Sequence, residues 1–312
     1  NAIVITAMLL SLPGHTGEHT SQSESVRCAD YRPGQLNLYW GDLHVHSSFS
    51  LDAYAFGTTA DPGDAFAFAR GQELTWPDKT SRTRLARPLD FAAVTDHAET
   101  FDVMYLCTDP IFSSEPYCQQ LREGSGTNSE KSGGVFRSFL LPLIAGEKPT
   151  TSPLCEQEGL DCDDASQRQW QRSQQYANAA NSQCEFTAFI GNEWSATPNN
   201  QHWHRNLIYS GSAVSRQAID YLRYPSPEKM WGALEDQCDP TVGCNVIAIP
   251  HNTNLSEGGG FDVETGNRKQ LRLRAKYERL IEIYQSKGNS ECLAENWDDL
   301  DSDCGFEILL PP

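Results

Sequence analysis

The chain has 312 residues, enough for one large domain with a sizeable buried core or for two smaller domains. Its mean hydropathy of −0.53 indicates a globular protein. The formal net charge of −18 disfavours nucleic acid as a partner, because an acidic surface repels polyanions. A small anionic substrate remains possible, since bound metal ions can invert the local electric field.

Residues 1–30 resemble a leader. An apolar run from Ala2 to Leu12 is too short to span a bilayer as a helix. We interpret it as the remnant of a secretory signal without its start methionine and basic end, the alternative being an ordinary strand or helix. We therefore expect a periplasmic or secreted protein with no membrane span in the mature chain.

Ten cysteines support this interpretation, because disulfides persist in oxidising compartments. None has the tight CxxC spacing of a zinc knuckle. Spacing alone does not determine connectivity, and we favour four local disulfides and one long-range disulfide. The favoured pairs are Cys107–Cys118, Cys155–Cys162, Cys238–Cys244, Cys292–Cys304 and Cys28–Cys184.

From about Tyr31, short β-rich runs alternate with helical stretches, which predicts a mainly parallel α/β fold. The predicted strands span 36–46, 90–96, 187–194, 205–210, 245–250 and 280–285. The predicted helices are one capped by Asp61 and stopped by Gly71, one over 165–182, one capped by Ser226 and one over 268–280. Residues 108–165 have few periodic apolar positions and are predicted to form a disulfide-rich insertion.

Side chains of metal-ligand type stand at or just past the C-terminal ends of most predicted strands. The set comprises His44, His46, Asp96, His97, Glu193, His251 and Asn252, whereas His202 and His204 precede their strand. In barrels of parallel strands the C-terminal rim is where sites are built. Each residue alone has a structural alternative, such as a buried ion pair for Glu193, a turn cap for Asp52 or a loop position for His202. Their recurrence in five segments favours one shared site.

The order of these motifs resembles the PHP (polymerase and histidinol phosphatase) family, in particular its poorly characterised, often secreted members. The motifs are "DLHVHS" with Asp52 six residues after His46, "VTDH" ending at His97, "GNE" ending at Glu193, "HRN" from His204, and "IPHN" containing His251. The likeness extends in order from Tyr31 to Gly288.

The resemblance implies a PHP-like distorted barrel of seven β/α units over residues 31–312, with a trinuclear metal site at the C-terminal rim. The implied ligands are His44, His46 and Glu193 for one ion, Glu193 with His204 and His251 for a second, and Asp52 with His97 for a third. Imidazole and carboxylate ligands suit Zn, Mn or Fe, so we expect two to three such ions as cofactors.

One family feature has no counterpart here. Members of the family close the site with a late Asp-x-His, but this chain has no histidine after His251. We therefore expect an incomplete gene product, or a fragment of a longer protein, whose barrel is incomplete at the C-terminus. If the chain is complete, we expect the first and third metal sites each to be one ligand short.

The expected activity is hydrolysis of phosphate esters by a metal-activated water, with a small anionic ester as substrate. Glu193 and His204 are expected to act at the metals. Arg205 and Lys287 are candidate clamps for anionic oxygens, although Arg205 could form an ion pair and Lys287 could be solvated. The sequence gives neither the natural substrate nor the oligomeric state.

Three alternatives remain. An amidohydrolase-type enzyme also opens with His-x-His, but it would require a bridging lysine or an equivalent where this chain has Glu193. A sulfate-ester hydrolase would use the same oxyanion geometry. The missing Asp-x-His also leaves room for a degenerate metal-binding protein without catalytic activity.

Overall fold

The computed structural model describes residues 32, 34–75, 80–124, 133–134, 137, 153–256 and 267–290. Its strands are β1 (Gly41–Val45), β2 (Leu74–Thr75), β3 (Arg82–Thr83), β4 (Phe91–Val94), β5 (Thr187–Ala196), β6 (Trp203–Tyr209), β7 (Val246–Pro250), β8 (Tyr284–Gln285) and β9 (Gly288–Asn289). Its α-helices include α1 (Leu51–Ala55), α2 (Pro62–Ala69), α3 (Phe101–Thr108), α4 (Pro116–Gly124), α5 (Cys162–Ala180), α6 (Pro227–Gln237) and α7 (Arg268–Tyr277).

The main sheet has five strands in the order β1-β4-β5-β6-β7 and is mixed. β1, β4 and β5 run parallel, whereas β6 is antiparallel to both of its neighbours. The prediction of a mainly parallel sheet is therefore wrong for the pairings that involve β6. The connection over 197–202 is too short to hold a crossover helix, so the chain turns back beside β5.

The sheet curls into a half-barrel. The side-chain amide of Asn206 on β6 donates a hydrogen bond of 3.2 Å to the carbonyl of Leu43 on β1, although these strands are not sheet neighbours. The concave face carries a small apolar cluster built around Ala93, Ile208 and Ile249. The α/β class is confirmed by this architecture, whereas the complete seven-unit barrel stays a prediction.

The larger core lies between the convex face of the sheet and the helices. Trp170 of α5 is fully buried, and its indole N–H donates to the carbonyl of Ser215 at 3.0 Å. Trp194 and Tyr209, on β5 and β6, are buried in the same cluster. Aromatic side chains of this size each bury about 150–250 Å², so they anchor the helices on the sheet.

Two helix starts agree with their sequence signals. Asp61 caps α2 by accepting the Asp64 N–H at 2.9 Å, and Ser226 caps α6 by accepting the Lys229 N–H. Gly71, with φ of +84°, follows α2 as predicted. The strand predicted over 280–285 is shorter in the structure, where only β8 forms. β8 pairs with β9 in a hairpin with a two-residue turn and does not pair with the main sheet.

Three predicted disulfides are confirmed, namely Cys107–Cys118, Cys155–Cys162 and Cys238–Cys244. Cys184 is also disulfide-bonded. The leader, Cys28, the Cys292–Cys304 pair and much of the predicted insertion lie outside the described residues. Among the described helices, none is both long and apolar enough to cross a membrane.

Candidate metal centre

The reversed direction of β6 explains why His204 lies at the beginning of its strand, whereas the other candidate ligands lie near or after the ends of theirs. The first residues of an antiparallel strand lie at the same edge of a sheet as the last residues of its parallel neighbours. His204 therefore faces the rim to which β1, β4 and β7 bring His46, His97 and His251. On β5, Ser195 pairs with His204 in the ladder.

Glu193 is the centre of this cluster. Its side chain is 1% exposed, and five imidazole nitrogens lie within 3.5 Å of its two carboxylate oxygens. The Oε1 atom lies 2.7 Å from His204 Nδ1, 3.2 Å from His251 Nε2 and 3.5 Å from His97 Nδ1. The Oε2 atom lies 3.0 Å from His46 Nε2 and 3.4 Å from His44 Nε2.

The seven residues that the sequence nominated as ligands thus meet at one rim. Two subsets have ligand atoms within 4.8 Å of one another: His44 with Glu193 and His251, and His46 with Asp52 and His97. This grouping differs from the one implied by the family resemblance, in which His251 accompanies His204 and His46 accompanies His44. Glu193 Oε2 also approaches His46, so its carboxylate contacts both subsets.

Three of the imidazoles have a hydroxyl group against one ring nitrogen, which orients the ring. Ser50 Oγ lies 2.8 Å from His46 Nδ1, and Thr197 Oγ1 lies 3.0 Å from His204 Nε2. Ser195 Oγ lies 2.5 Å from His97 Nδ1. Such contacts fix ring orientation and tautomer, as the outer partners of metal-bound histidines do.

Asp96, which the sequence grouped with His97, supports the rim instead of joining the cluster. It is buried and accepts hydrogen bonds from the Ser47 backbone N–H at 2.6 Å and the Ser47 hydroxyl at 2.7 Å. These bonds join the loop after β1 to the loop after β4. They hold the two histidine-bearing loops in a fixed relation.

The donor set fits a cation. His204 Nδ1 and Glu193 Oε2 are buried and make no hydrogen bond, because the short approaches around them lack hydrogen-bond geometry. The Nε2 atoms of His44 and His46 are only 3.1 Å apart. Imidazole nitrogens and carboxylate oxygens that converge in this way can share a positive ion, and imidazole with carboxylate suits Zn, Mn or Fe. These residues could therefore hold metal ions.

The electrostatics of the cluster are strongly coupled. Burial opposes ionisation of Glu193, yet His97, His251 and His204 hold its pKa well below the ordinary value. Burial also disfavours a charged His97, but Glu193 and Asp52 outweigh it and raise the pKa of His97 to about 10. Without a cation, Glu193 is therefore balanced by protonated imidazole.

At His251 and His204, burial has the largest effect on the pKa. It lowers the pKa of His251 to about 4 and that of His204 well below its ordinary value. At His44, burial is outweighed by Glu193 and Glu282, which raise the pKa to about 9. Neutral and protonated imidazoles thus lie side by side, and a bound cation would displace the protons from the latter.

A cavity of about 740 Å³ opens beside the cluster, within the size range of small-molecule sites. His44, His46 and Asp52 line one side of it, and Lys287 lines another. Lys287 lies at the tip of the β8–β9 hairpin, whose backbone is held by a hydrogen bond from the Asn254 amide to the Lys287 carbonyl. Lys287, the predicted anion clamp, therefore lines the cavity beside the cluster.

The structure corrects the prediction that Arg205 is a clamp for the anionic oxygens of a substrate. The Arg205 guanidinium is buried, 3.0 Å from the carboxylate of Glu278, and it lies over the ring of Trp194. Neighbouring residues of a strand point to opposite faces, so Arg205 faces away from the side that His204 occupies. Arg205 forms the ion pair that the sequence left open as its alternative.

His202 lies at the edge of the cluster. Its ring contacts that of His204 at a centroid distance of 5.0 Å, and burial lowers its pKa to about 4. Neither His202 nor His204 belongs to the two ligand subsets, and it is the 2.7 Å approach of His204 Nδ1 to Glu193 Oε1 that places His204 at the centre of the cluster. A third cluster, Asp102 with Cys155 and Cys162, offers no thiolate because its two sulfurs form a disulfide.

The sequence interpretation missed Glu282. Its Oε2 atom lies 2.8 Å from His44 Nδ1, and its backbone N–H donates to the carbonyl of Pro250 at the end of β7. The available signal was a carboxylate between two isoleucines, Ile281 and Ile283, in a run predicted to be an apolar strand.

The family described as "Protein of unknown function (DUF3604)" matches residues 34–310. The match includes every residue of the metal cluster and the cavity beside it. No curated protein and no solved structure matches the chain.

Proposed function

We propose that this chain, which belongs to the DUF3604 family of proteins of unknown function, is a metal-dependent hydrolase that cleaves phosphate esters at a multinuclear site. The observation that carries the proposal is the convergence of five imidazoles on the buried carboxylate of Glu193, beside an open cavity. Such a donor set is built for transition metals, and a cavity of this size admits a small substrate.

The residues of the site would have two roles, metal binding and substrate binding. His44, His46, Asp52, His97, Glu193, His204 and His251 would hold two to three ions of Zn, Mn or Fe. Ions of this kind supply a nucleophilic water at neutral pH and compensate the charge that develops on ester oxygens. Lys287 would bind the anionic oxygens of the substrate as it enters the cavity. The buried side of the cluster excludes bulk water, which strengthens every charge interaction there.

The same proposal includes a PHP-like barrel that is only partly represented by the half-barrel, and export to the periplasm or the medium. Three local disulfides support export, because such bonds persist in oxidising compartments. The acidic net charge supports a small anionic ester over nucleic acid as the substrate.

The test is a substrate panel. Protein expressed with export, so that the disulfides form, is stripped with a chelator, reloaded with Mn or Zn, and assayed on aryl phosphate, diaryl phosphate, aryl sulfate and anilide substrates. We expect hydrolysis of phosphate esters that requires the metal. Turnover of the sulfate alone, or of the anilide alone, would replace the proposal by one of the alternatives. Metal binding without any turnover would favour a degenerate binding protein.

A further inference from the structure

His44 differs from His46, His97 and His204 in the group that holds its outer nitrogen. Ser50, Ser195 and Thr197 place hydroxyls against His46, His97 and His204, whereas His44 Nδ1 lies 2.8 Å from the carboxylate of Glu282. A carboxylate behind an imidazole fixes the tautomer more firmly than a hydroxyl does. An ionised carboxylate can accept a hydrogen bond but cannot donate one, whereas a hydroxyl can do either.

The position of Glu282 is fixed by the fold. Its backbone N–H donates to the Pro250 carbonyl at 3.0 Å, immediately before His251. Its carboxylate is mostly buried, with 21% of the side chain exposed, and lines the same cavity as His44 and Lys287. Glu282 therefore reaches His44 from the opposite edge of the sheet, since His44 belongs to β1 and Pro250 to β7.

We propose that Glu282 is a positioning residue for the metal centre. It accepts the Nδ1–H of His44, which leaves the Nε2 lone pair free to face Glu193 Oε2 and His46 Nε2. The hydrogen bond also makes the imidazole a stronger ligand. Outer carboxylate partners of this kind typically change metal affinity by about 10- to 100-fold. The inference rests on the proposed metal centre and adds to it a residue that links β1 to the end of β7.

The test compares zinc affinity, measured by competition with a chromophoric chelator, in the parent, Glu282→Gln and Glu282→Ala. We expect zinc to bind about tenfold more weakly to Glu282→Gln, which keeps an acceptor oxygen but loses the charge, and up to about 100-fold more weakly to Glu282→Ala. Glu235→Gln is the matched control, because Glu235 also loses a charge but pairs with Lys276 away from the centre. Its zinc affinity should equal that of the parent.

A second readout separates positioning from general destabilisation. In zinc-loaded parent protein, ¹⁵N NMR should show a protonated Nδ1 on His44 and an engaged Nε2, and this pattern should change in Glu282→Ala. Equal zinc affinity in the parent and Glu282→Ala, or an unchanged His44 pattern, would overturn the positioning role. Failure of the parent itself to bind zinc would instead overturn the proposed function, so the two failures are distinguishable.

Discussion

Glu193→Gln removes one charge from the centre of the cluster while keeping the shape of the side chain. The Glu193 carboxylate lies 2.7–3.5 Å from nitrogens of five imidazoles, and these five histidines are expected to hold the ions. At about 3 Å and an effective dielectric constant of about 20, a unit charge contributes roughly 5 kcal/mol. Because each 1.4 kcal/mol is about tenfold in affinity, at least one ion should bind roughly several thousandfold more weakly.

The assay is elemental analysis of the reloaded protein together with hydrolysis of an aryl phosphate. We expect Glu193→Gln to lose at least one equivalent of metal and most turnover, while its circular dichroism matches that of the parent. Glu278→Gln is the control, because Glu278 is an equally buried carboxylate that pairs with Arg205 outside the cluster. This variant should be less stable but retain its metal.

Retention of metal by Glu193→Gln would refute the assignment of Glu193 to the metal centre. If Glu193 were only a buried ion-pair partner, Glu193→Gln would lower the melting temperature without changing metal content. Parent-like metal stoichiometry and turnover in this variant would therefore remove Glu193 from the centre.

Three further predictions concern residues that are not metal ligands. Arg205→Met should cost about 1–3 kcal/mol in the free energy of unfolding, because the Glu278 carboxylate loses its more buried ion-pair partner and keeps Arg274 and the Trp231 indole, and denaturant titration should show partial recovery in Arg205→Met/Glu278→Met. Lys287→Met should raise KM for aryl phosphate about tenfold with metal content unchanged, and a loss of metal would contradict its role as an anion clamp. Burial raises the pKa of Asp102 from 3.8 to about 6, so the folded state retains a proton there and loses stability as pH rises from about 4 to 6. Asp102→Asn should therefore raise the melting temperature at pH 7.5 more than at pH 4, and an equal shift at both pH values would contradict this account.

Local features of the fold could be predicted because their signals are local. Asp61 and Ser226 cap helices through hydrogen bonds to residues three positions ahead, and three disulfides close loops of 6 to 11 residues. The direction of β6 was not predictable from strand patterning, because a buried strand has the same apolar pattern in either direction. The short connection before β6 was the physical signal for an antiparallel turn.

The ligand set could be nominated because histidines and carboxylates recurred at strand ends. The alternation of side chains along a strand could also have excluded Arg205 once His204 was assigned to the site. Glu282 could not be assigned in the same way, because its partner His44 is 238 residues away in the sequence. Only the curl of the sheet brings these two residues together.

The most direct measurement of the central claim is the metal content of the exported protein after reloading and removal of excess ions. The account predicts two to three equivalents of transition metal per chain, falling in His44→Ala and His251→Ala, which remove ligands from opposite edges of the sheet. Less than one equivalent in the parent, or the same content in the parent and both variants, would contradict a multinuclear centre around Glu193.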